Sequence, residues 1–201
     1  MKQNKSSKRL PPQNPLEIVK YYYQKAQKLR LKYPDVAVIS TCVNNKPNSR
    51  CVLIKEINDE GLIFYTNYQS QKGQELSQNP NIALVFYWEK MDIQIRIRGI
   101  AQKVPPEVSD RYFKTRPKGS QISAIISKQS QELESYKKLM QLFEKYLEEY
   151  KDKEVKRPEH WGGYIILPEE IEIWKEKPHR LHKRILYYKK NSRWYKKYLY
   201  P

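Results

Sequence analysis

Ile93-Gln94-Ile95-Arg96-Ile97-Arg98 alternates apolar and polar side chains through three full periods. A period of two belongs to a strand with one buried face, so the isoleucines are expected in a core and Gln94 and Arg96 on the opposite face. The strand continues to Val104. Upstream, Val36–Val43, Ser49–Ile57, Leu62–Asn67 and Ile82–Trp88 read as further strands, with turn chemistry at Asn44–Pro47 and Asn58-Asp59-Glu60-Gly61. Downstream, Tyr164–Leu167, Ile171–Lys175, Arg184–Tyr188 and Trp194–Leu199 return to the same pattern.

Helices interrupt these strands. Asn14-Pro15-Leu16-Glu17 has the order of a cap, a first-turn proline and an acid, and opens a helix expected to run to about Lys32. Ser70–Gln78, Pro106–Thr115 and Ser120–Ser127 are short helical segments. Gln131–Asp152 is long and amphipathic, with Leu139, Leu142, Phe143, Tyr146, Leu147 and Tyr150 at helical spacing. The chain therefore reads as mainly β with peripheral helices, an α+β chain built on a closed or nearly closed antiparallel barrel. Residues 1–14 are expected to be a flexible basic N-terminal segment and residues 15–201 a single domain.

Composition narrows the function. Of 201 residues, 39% are hydrophobic and 12% aromatic, too many for a disordered chain. No apolar run reaches the ~18 residues of a membrane span, and the basic N-terminus lacks the apolar centre of a secretory signal. Two cysteines, Cys42 and Cys51, cannot build a disulfide framework, which fits a cytoplasmic protein; both are expected as small core residues. The glycines number six, where average usage gives about fourteen. No glycine-rich phosphate loop is present, so any phosphate must be held by side chains or helix N-termini.

The net charge of +17 suggests nucleic acid at first sight. Its distribution argues otherwise. Residues 1–34 carry nine basic residues and one acid, residues 160–201 carry ten and four, and residues 35–100 carry seven of each. The excess is terminal. A nucleic-acid module concentrates its basic residues on one central element, so no nucleic-acid partner is expected.

Chemistry-bearing residues gather at strand and helix ends. Arg50 and Lys55 bracket an apolar strand, Tyr65 and Thr66 end the next, and Ser70 and Lys72 open a helix. Tyr112, Arg116 and Ser120 surround Pro117-Lys118-Gly119. Gln129 and Ser130 precede the long helix. Trp174 ends a strand, with Arg180, His182 and Arg184 after it. No serine elbow is present, and His179-x-x-His182 has no carboxylate or thiolate at matching distance, so no metal site is expected. Cations, hydroxyls and amides in this number describe a site for two phosphates and a flat ring. One point of geometry is open: on a regular strand Arg50 and Lys55, five apart, face opposite ways. A bulge, a backbone contact or a second subunit would resolve it.

At these residues the sequence resembles the pyridoxine/pyridoxamine 5′-phosphate oxidases. Ten stretches fall in that family's order, among them Arg50–Lys55, Ser70–Gly73, Gln94–Arg96, Arg116-Pro117-Lys118-Gly119-Ser120-Gln121, Trp161-Gly162-Gly163-Tyr164 and Arg180–Arg184. The resemblance implies an FMN-binding split β-barrel, homodimeric, with FMN at the interface. It implies cofactor contacts at Arg50, Cys51, Val52, Leu53, Ile54, Lys55, Tyr65, Thr66, Gln71, Lys72, Gln94, Gln129, Ser130, Trp174 and Arg184. It implies substrate contacts at Lys55, Tyr112, Arg116, Ser120, Arg180, Leu181 and His182, with Arg180 and His182 as the catalytic pair. The implied reaction converts pyridoxamine or pyridoxine 5′-phosphate to pyridoxal 5′-phosphate, by hydride transfer from C4′ to flavin N5. Dioxygen then reoxidises the flavin and gives hydrogen peroxide.

The chain departs from the family in three places. Gln71 stands where arginine is usual, Lys183 where aspartate is usual, and the C-terminus is Tyr198-Leu199-Tyr200-Pro201. Two other readings stand beside the oxidase: a split-barrel flavoprotein with a different substrate, and a non-enzymatic basic nucleic-acid binder. A flavin spectrum rejects the latter, and a second phosphate site argues against the former.

Overall fold

A computed structural model describes residues 14–201; the expected flexible segment, apart from Asn14, lies outside them. Eight antiparallel strands form one sheet: β1 (Val36–Val43), β2 (Lys46–Ile57), β3 (Leu62–Asn67), β4 (Asn81–Trp88), β5 (Ile93–Lys103), β6 (Trp161–Lys175), β7 (Lys183–Lys190) and β8 (Arg193–Leu199). The order is β3-β2-β1-β4-β5-β6-β7-β8, and β3 also pairs with β6. That last pairing closes six strands into a barrel and leaves β7–β8 as a flap running on from β6. Five α-helices lie outside: α1 (Leu16–Lys28), α2 (Gln71–Gln78), α3 (Pro106–Lys114), α4 (Lys118–Ile126) and α5 (Tyr136–Glu149).

The alternation in β5 holds. Ile93, Ile95 and Ile97 are at most 1% exposed, whereas Gln94 is half-buried and Arg96 and Arg98 are exposed. They meet Ile39, Ile54, Phe64, Leu84, Phe86, Ile166 and Ile171 in the barrel core. From α1, Leu16, Val19, Tyr23 and Ala26 join this core, and the Tyr23 hydroxyl donates to the Ile54 carbonyl at 2.9 Å. A smaller cluster of Phe113, Ile122, Ala124, Val155 and Trp161 fixes α3 and α4 to the start of β6.

Several expected boundaries move. Tyr164–Leu167 and Ile171–Lys175 are parts of one 15-residue strand, β6. Pro168 looks like a turn residue, but it sits opposite Gly99, where the β5–β6 register shifts. A proline has no N–H for the ladder, so a bulge carries the strand past it. A Cβ on Gly99 would come within 2.1 Å of the Leu167 carbonyl oxygen, which is why only glycine fits there. The β1–β2 hairpin turns on Asn44 and Asn45, with φ of 51° and 59°, so β2 starts at Lys46, earlier than expected. The long helix is shortened at both ends to Tyr136–Glu149, and none of its residues is fully buried. The expectation of core cysteines fails: Cys42 is half-buried and Cys51 exposed.

Candidate functional site

The barrel's register places the predicted residues in two clusters. Thr66 and Asn67 pair with Gly162 and Trp161, at the first end of β6. Gln94 and Arg184 both pair with Trp174, near its last end. The thirteen residue steps from Trp161 to Trp174 would span about 43 Å on a straight strand. Within one chain the clusters are therefore separate.

The first cluster lines a cleft of about 290 Å³, formed by Cys51, Val52, Leu53, Lys55, Tyr65, Thr66, Asn67, Lys72, Tyr112, Arg116, Gln129 and Trp161. Its wall is aromatic. The Tyr65 and Tyr112 rings stack at 3.9 Å with 11° between their planes, and Tyr65 lies nearly parallel to Trp161 at 5.6 Å. Gly163 makes room for this wall, and Gly162 for Tyr68 behind it. A Cβ on Gly163 would sit 2.9 Å from the Tyr65 ring, and one on Gly162 would sit 2.2 Å from the Tyr68 hydroxyl. Burial first, with Glu56 and Tyr112 adding to it, pushes the Tyr65 phenol up to about 12, so it stays a neutral donor at neutral pH.

Two cations in this cleft have no carboxylate partner among their hydrogen bonds. Lys72 is 7% exposed, and its Nζ reaches only the hydroxyls of Thr66 and Ser70, both at 3.3 Å. Burial, with the Arg50 guanidinium adding to it, lowers its pKa from the lysine range. Ser70 caps α2 by accepting from the Gly73 N–H, which seats Lys72 in the helix's first turn. Arg116 follows α3, its guanidinium 4.5 Å from the Trp161 ring centroid. Its buried Nη1 has no partner. An unsatisfied buried guanidinium nitrogen is costly unless a ligand completes it. Thus one cleft holds two places for an anion beside a flat aromatic surface.

Lys55 lines the same cleft but already pairs with Asp35 at 2.7 Å. The β2–β3 register shifts between Ile54 and Glu56, so a bulge does intervene at Lys55. It does not bring Lys55 to the side of Arg50. Ile54 and Ile57 are both buried, and Lys55 and Glu56 between them face outward. Arg50 turns inward to Thr41 and Glu75 instead.

In the second cluster the Trp174 and His182 rings lie 4.6 Å apart, and the Lys177 N–H donates to His182 Nδ1 at 3.3 Å. Arg184 donates to Glu172 at 2.7 Å and to the Tyr200 carbonyl at 3.0 Å. Glu172, only 6% exposed, also takes Arg96 at 3.1 Å. The Glu172 hydrogen bond raises the Arg184 pKa. His179 and Arg180 both adopt left-handed backbone, with φ of 58° and 60°, and project Arg180 and Leu181 into solvent.

Other predicted residues lie outside the cleft lining. Ile54 is core, Gln71 is exposed at the start of α2, Ser120 is half-buried in the first turn of α4, and Ser130 is exposed with φ of 72°. Asn67 and Trp161 also line the cleft and are not among the expected site residues, although Asn67 ends a predicted strand and Trp161 opens one of the family-like stretches. Nor did sequence reasoning foresee the acids that hold the cations, Asp35, Glu75 and Glu172. Each lies far along the chain from its partner, and no local pattern signals it. Among the described residues no helix is long and apolar enough to cross a membrane, and no group of three His, Cys, Asp or Glu is placed to hold a metal.

Comparisons with known proteins place the chain in a family. The family profile described as pyridoxamine 5′-phosphate oxidase matches residues 23–153, and a second, the pyridoxine 5′-phosphate oxidase C-terminal dimerisation region, matches residues 161–201. A protein of Hydrogenovibrio crunogenus named pyridoxine/pyridoxamine 5′-phosphate oxidase 2 is 42% identical over 190 residues, covering 94% of this chain and 89% of that one. One from Legionella pneumophila, named pyridoxine/pyridoxamine 5′-phosphate oxidase, is 47% identical over 170 residues, 84% of this chain and 79% of its own. Among solved structures, PhzG of Burkholderia lata, in complex with tetrahydrophenazine-1-carboxylic acid, superposes with a TM-score of 0.91 at 28% identity, covering 95% of this chain and 94% of that one. With two profiles spanning most of the chain and relatives of this identity, the chain belongs to the pyridoxamine 5′-phosphate oxidase family.

Proposed function

We propose that this chain is an FMN-dependent oxidase that converts pyridoxamine or pyridoxine 5′-phosphate to pyridoxal 5′-phosphate. The observation that carries the reading is the pair of cations, Lys72 and Arg116, in one cleft with no carboxylate between them. Two such cations suit two phosphate monoesters, one on the cofactor and one on the substrate. The residues fit the cofactor: Lys72, Thr66, Arg50 and Ser130 would hold its phosphate and ribityl chain, and Gln94, Gln129, Trp174 and Arg184 its ring. Bound FMN supplies a hydride acceptor and a route for the electrons to O2, giving hydrogen peroxide. Arg116, Tyr112, Lys55 and Ser120 would hold the substrate phosphate. Arg180 would orient the substrate, with Leu181 beside it, and His182 would contact its ring hydroxyl.

The two clusters stand at opposite ends of β6, so this reading requires a homodimer in which the first cluster of one protomer meets the second cluster of its partner. The dimerisation profile over residues 161–201 supports that arrangement. Residues 15–201 would then act as one catalytic unit in a cytoplasmic setting.

The test is direct. Purified protein should be yellow, with a flavin spectrum, and should form aldehyde from pyridoxamine 5′-phosphate only in the presence of O2. Arg180→Ala should cut turnover while FMN stays bound. Colourless protein that takes up no FMN would sink the cofactor assignment. The likeness to PhzG favours one second reading, an oxidation of a carboxylated ring system. Equal turnover of pyridoxamine with and without its phosphate would favour that reading, because Arg116 would then have no phosphate to meet.

A further inference from the structure

Glu75 is an acid placed beside the cations Arg50 and Lys72, and its role is not explained by ligand contact. It lies on α2, three residues after Lys72, so both leave the same helix face. Its carboxylate is fully engaged. Oε2 accepts from Thr41 at 2.5 Å and from Arg50 Nη2 at 2.9 Å, and Oε1 accepts from Asn48 at 2.9 Å. Arg50 Nη1 meets Thr41 Oγ1 at 2.5 Å and the Asn48 carbonyl at 3.3 Å. Thr41 is 2% exposed, and the Arg50 and Glu75 side chains are 19% and 14% exposed. This is a protected network joining β1, β2 and α2. It differs from the Lys55–Asp35 pair, a single contact between side chains 29% and 25% exposed.

Arg50 therefore has its fork fixed from one side. Three of its five N–H groups are engaged within the network, which leaves two for a ligand. Burial raises the Glu75 pKa, but the hydrogen bonds from Thr41, Asn48 and Arg50 outweigh it and hold the carboxyl below the usual glutamate range. The acid is charged at neutral pH and offsets one of the two neighbouring cations. Two cations side by side without it would repel each other and splay.

We infer that Glu75 is a positioning residue of the phosphate pocket: it holds the Arg50 guanidinium in register with Lys72 so that both address one oxyanion. This rests on the reading that FMN phosphate binds there. It predicts that Glu75 acts only through Arg50. Where Arg50 is present, removing Glu75 loosens the fork and weakens binding. Where Arg50 is absent, Glu75 is merely a negative charge near a phosphate, and removing it should leave binding unchanged or tighten it.

The experiment is a double-mutant cycle on the full chain, read by quenching of FMN fluorescence on titration into apoprotein. Wild type, Glu75→Ala, Arg50→Ala and the double variant are compared, with Glu75→Gln as the conservative variant and melting temperature recorded for each. Glu75→Ala is expected to weaken FMN binding about tenfold in the wild-type background, and to have no effect or the opposite effect on top of Arg50→Ala. Glu75→Gln, which keeps an acceptor for Arg50, should recover part of the loss. Equal weakening in both backgrounds would overturn the inference, as would no weakening in the wild type. Wild-type protein that binds no FMN would instead refute the cofactor reading, and the two failures are distinct.

Discussion

The two ends of β6 carry the same kinds of side chain in opposite states. At the Trp161 end, Lys72 is buried and Arg116 half-buried, and neither hydrogen-bonds a carboxylate. At the Trp174 end, Arg184 and Arg96 share the buried carboxylate of Glu172. Removing one partner of a buried ion pair strands the other charge and destabilises the fold; a buried cation without an acid already opposes it. Under the proposed function, the difference separates an end shaped for a ligand by charge from an end held in form for a ring to lie against.

Breaking that contrast should produce effects of opposite sign. Lys72→Met removes a buried ammonium that has hydroxyl partners but hydrogen-bonds no carboxylate. FMN affinity should fall about 100-fold in a fluorescence titration, while the melting temperature of the apoprotein stays level or rises. The same lysine gives a pH signature. Its lowered pKa means that the native apoprotein binds fewer protons than the unfolded chain between that value and the ordinary lysine range. Apoprotein stability therefore rises with pH across this window, and the destabilisation is full below it. A bound phosphate favours the ammonium, so FMN affinity should fall across the same window in wild type and stay flat in the methionine variant.

Arg116→Gln is the next largest. The KM for the phosphorylated substrate should rise roughly 30-fold, with the flavin absorbance retained. A loss of flavin instead would move Arg116 to the cofactor phosphate. Arg184→Ala should behave unlike either. It strips a partner from buried Glu172, so the unfolding free energy measured in urea should drop by about 1–3 kcal/mol. If Arg184→Ala left stability untouched, the contrast between the two ends would fail. The smallest effect belongs to Lys118, whose Nζ lies 2.6 Å from the carbonyl oxygens of Tyr150 and Lys151 and 3.1 Å from that of Lys153. Lys118→Ala should lower the unfolding free energy by about 1 kcal/mol, through unsatisfied carbonyls at the end of α5.

Much of the barrel was legible because period-two patterns report directly on a buried face, as in Ile93, Ile95 and Ile97. Pro168 was misleading because a proline in a bulge and a proline in a turn look alike in one dimension; only its partner Gly99 on β5 tells them apart. The cationic site residues were legible as types, since Lys72, Arg116 and Arg184 stand in recognisable stretches. Their states were not. Whether a cation is paired depends on Glu75, Glu172 or Asp35 arriving from another strand or helix, and sequence spacing holds no record of that. Cys51 failed for a related reason: an apolar strand has two faces, and its neighbours Val52 and Ile54 took the inner one.

The unbroken run of β6 has a consequence for how this chain tolerates change in length. Trp161 and Trp174 sit on one ruler, bent once at Pro168. Adding a single residue between them would turn every later side chain to the wrong face, and adding two would shift the spacing by about 7 Å. Either would misalign the two clusters that the proposed dimer brings together. The Asn191-Ser192 turn, by contrast, joins β7 to β8 at the surface with φ of 49° and 61°, and lengthening it moves neither tryptophan. Insertions should therefore be absorbed at that turn and excluded from β6.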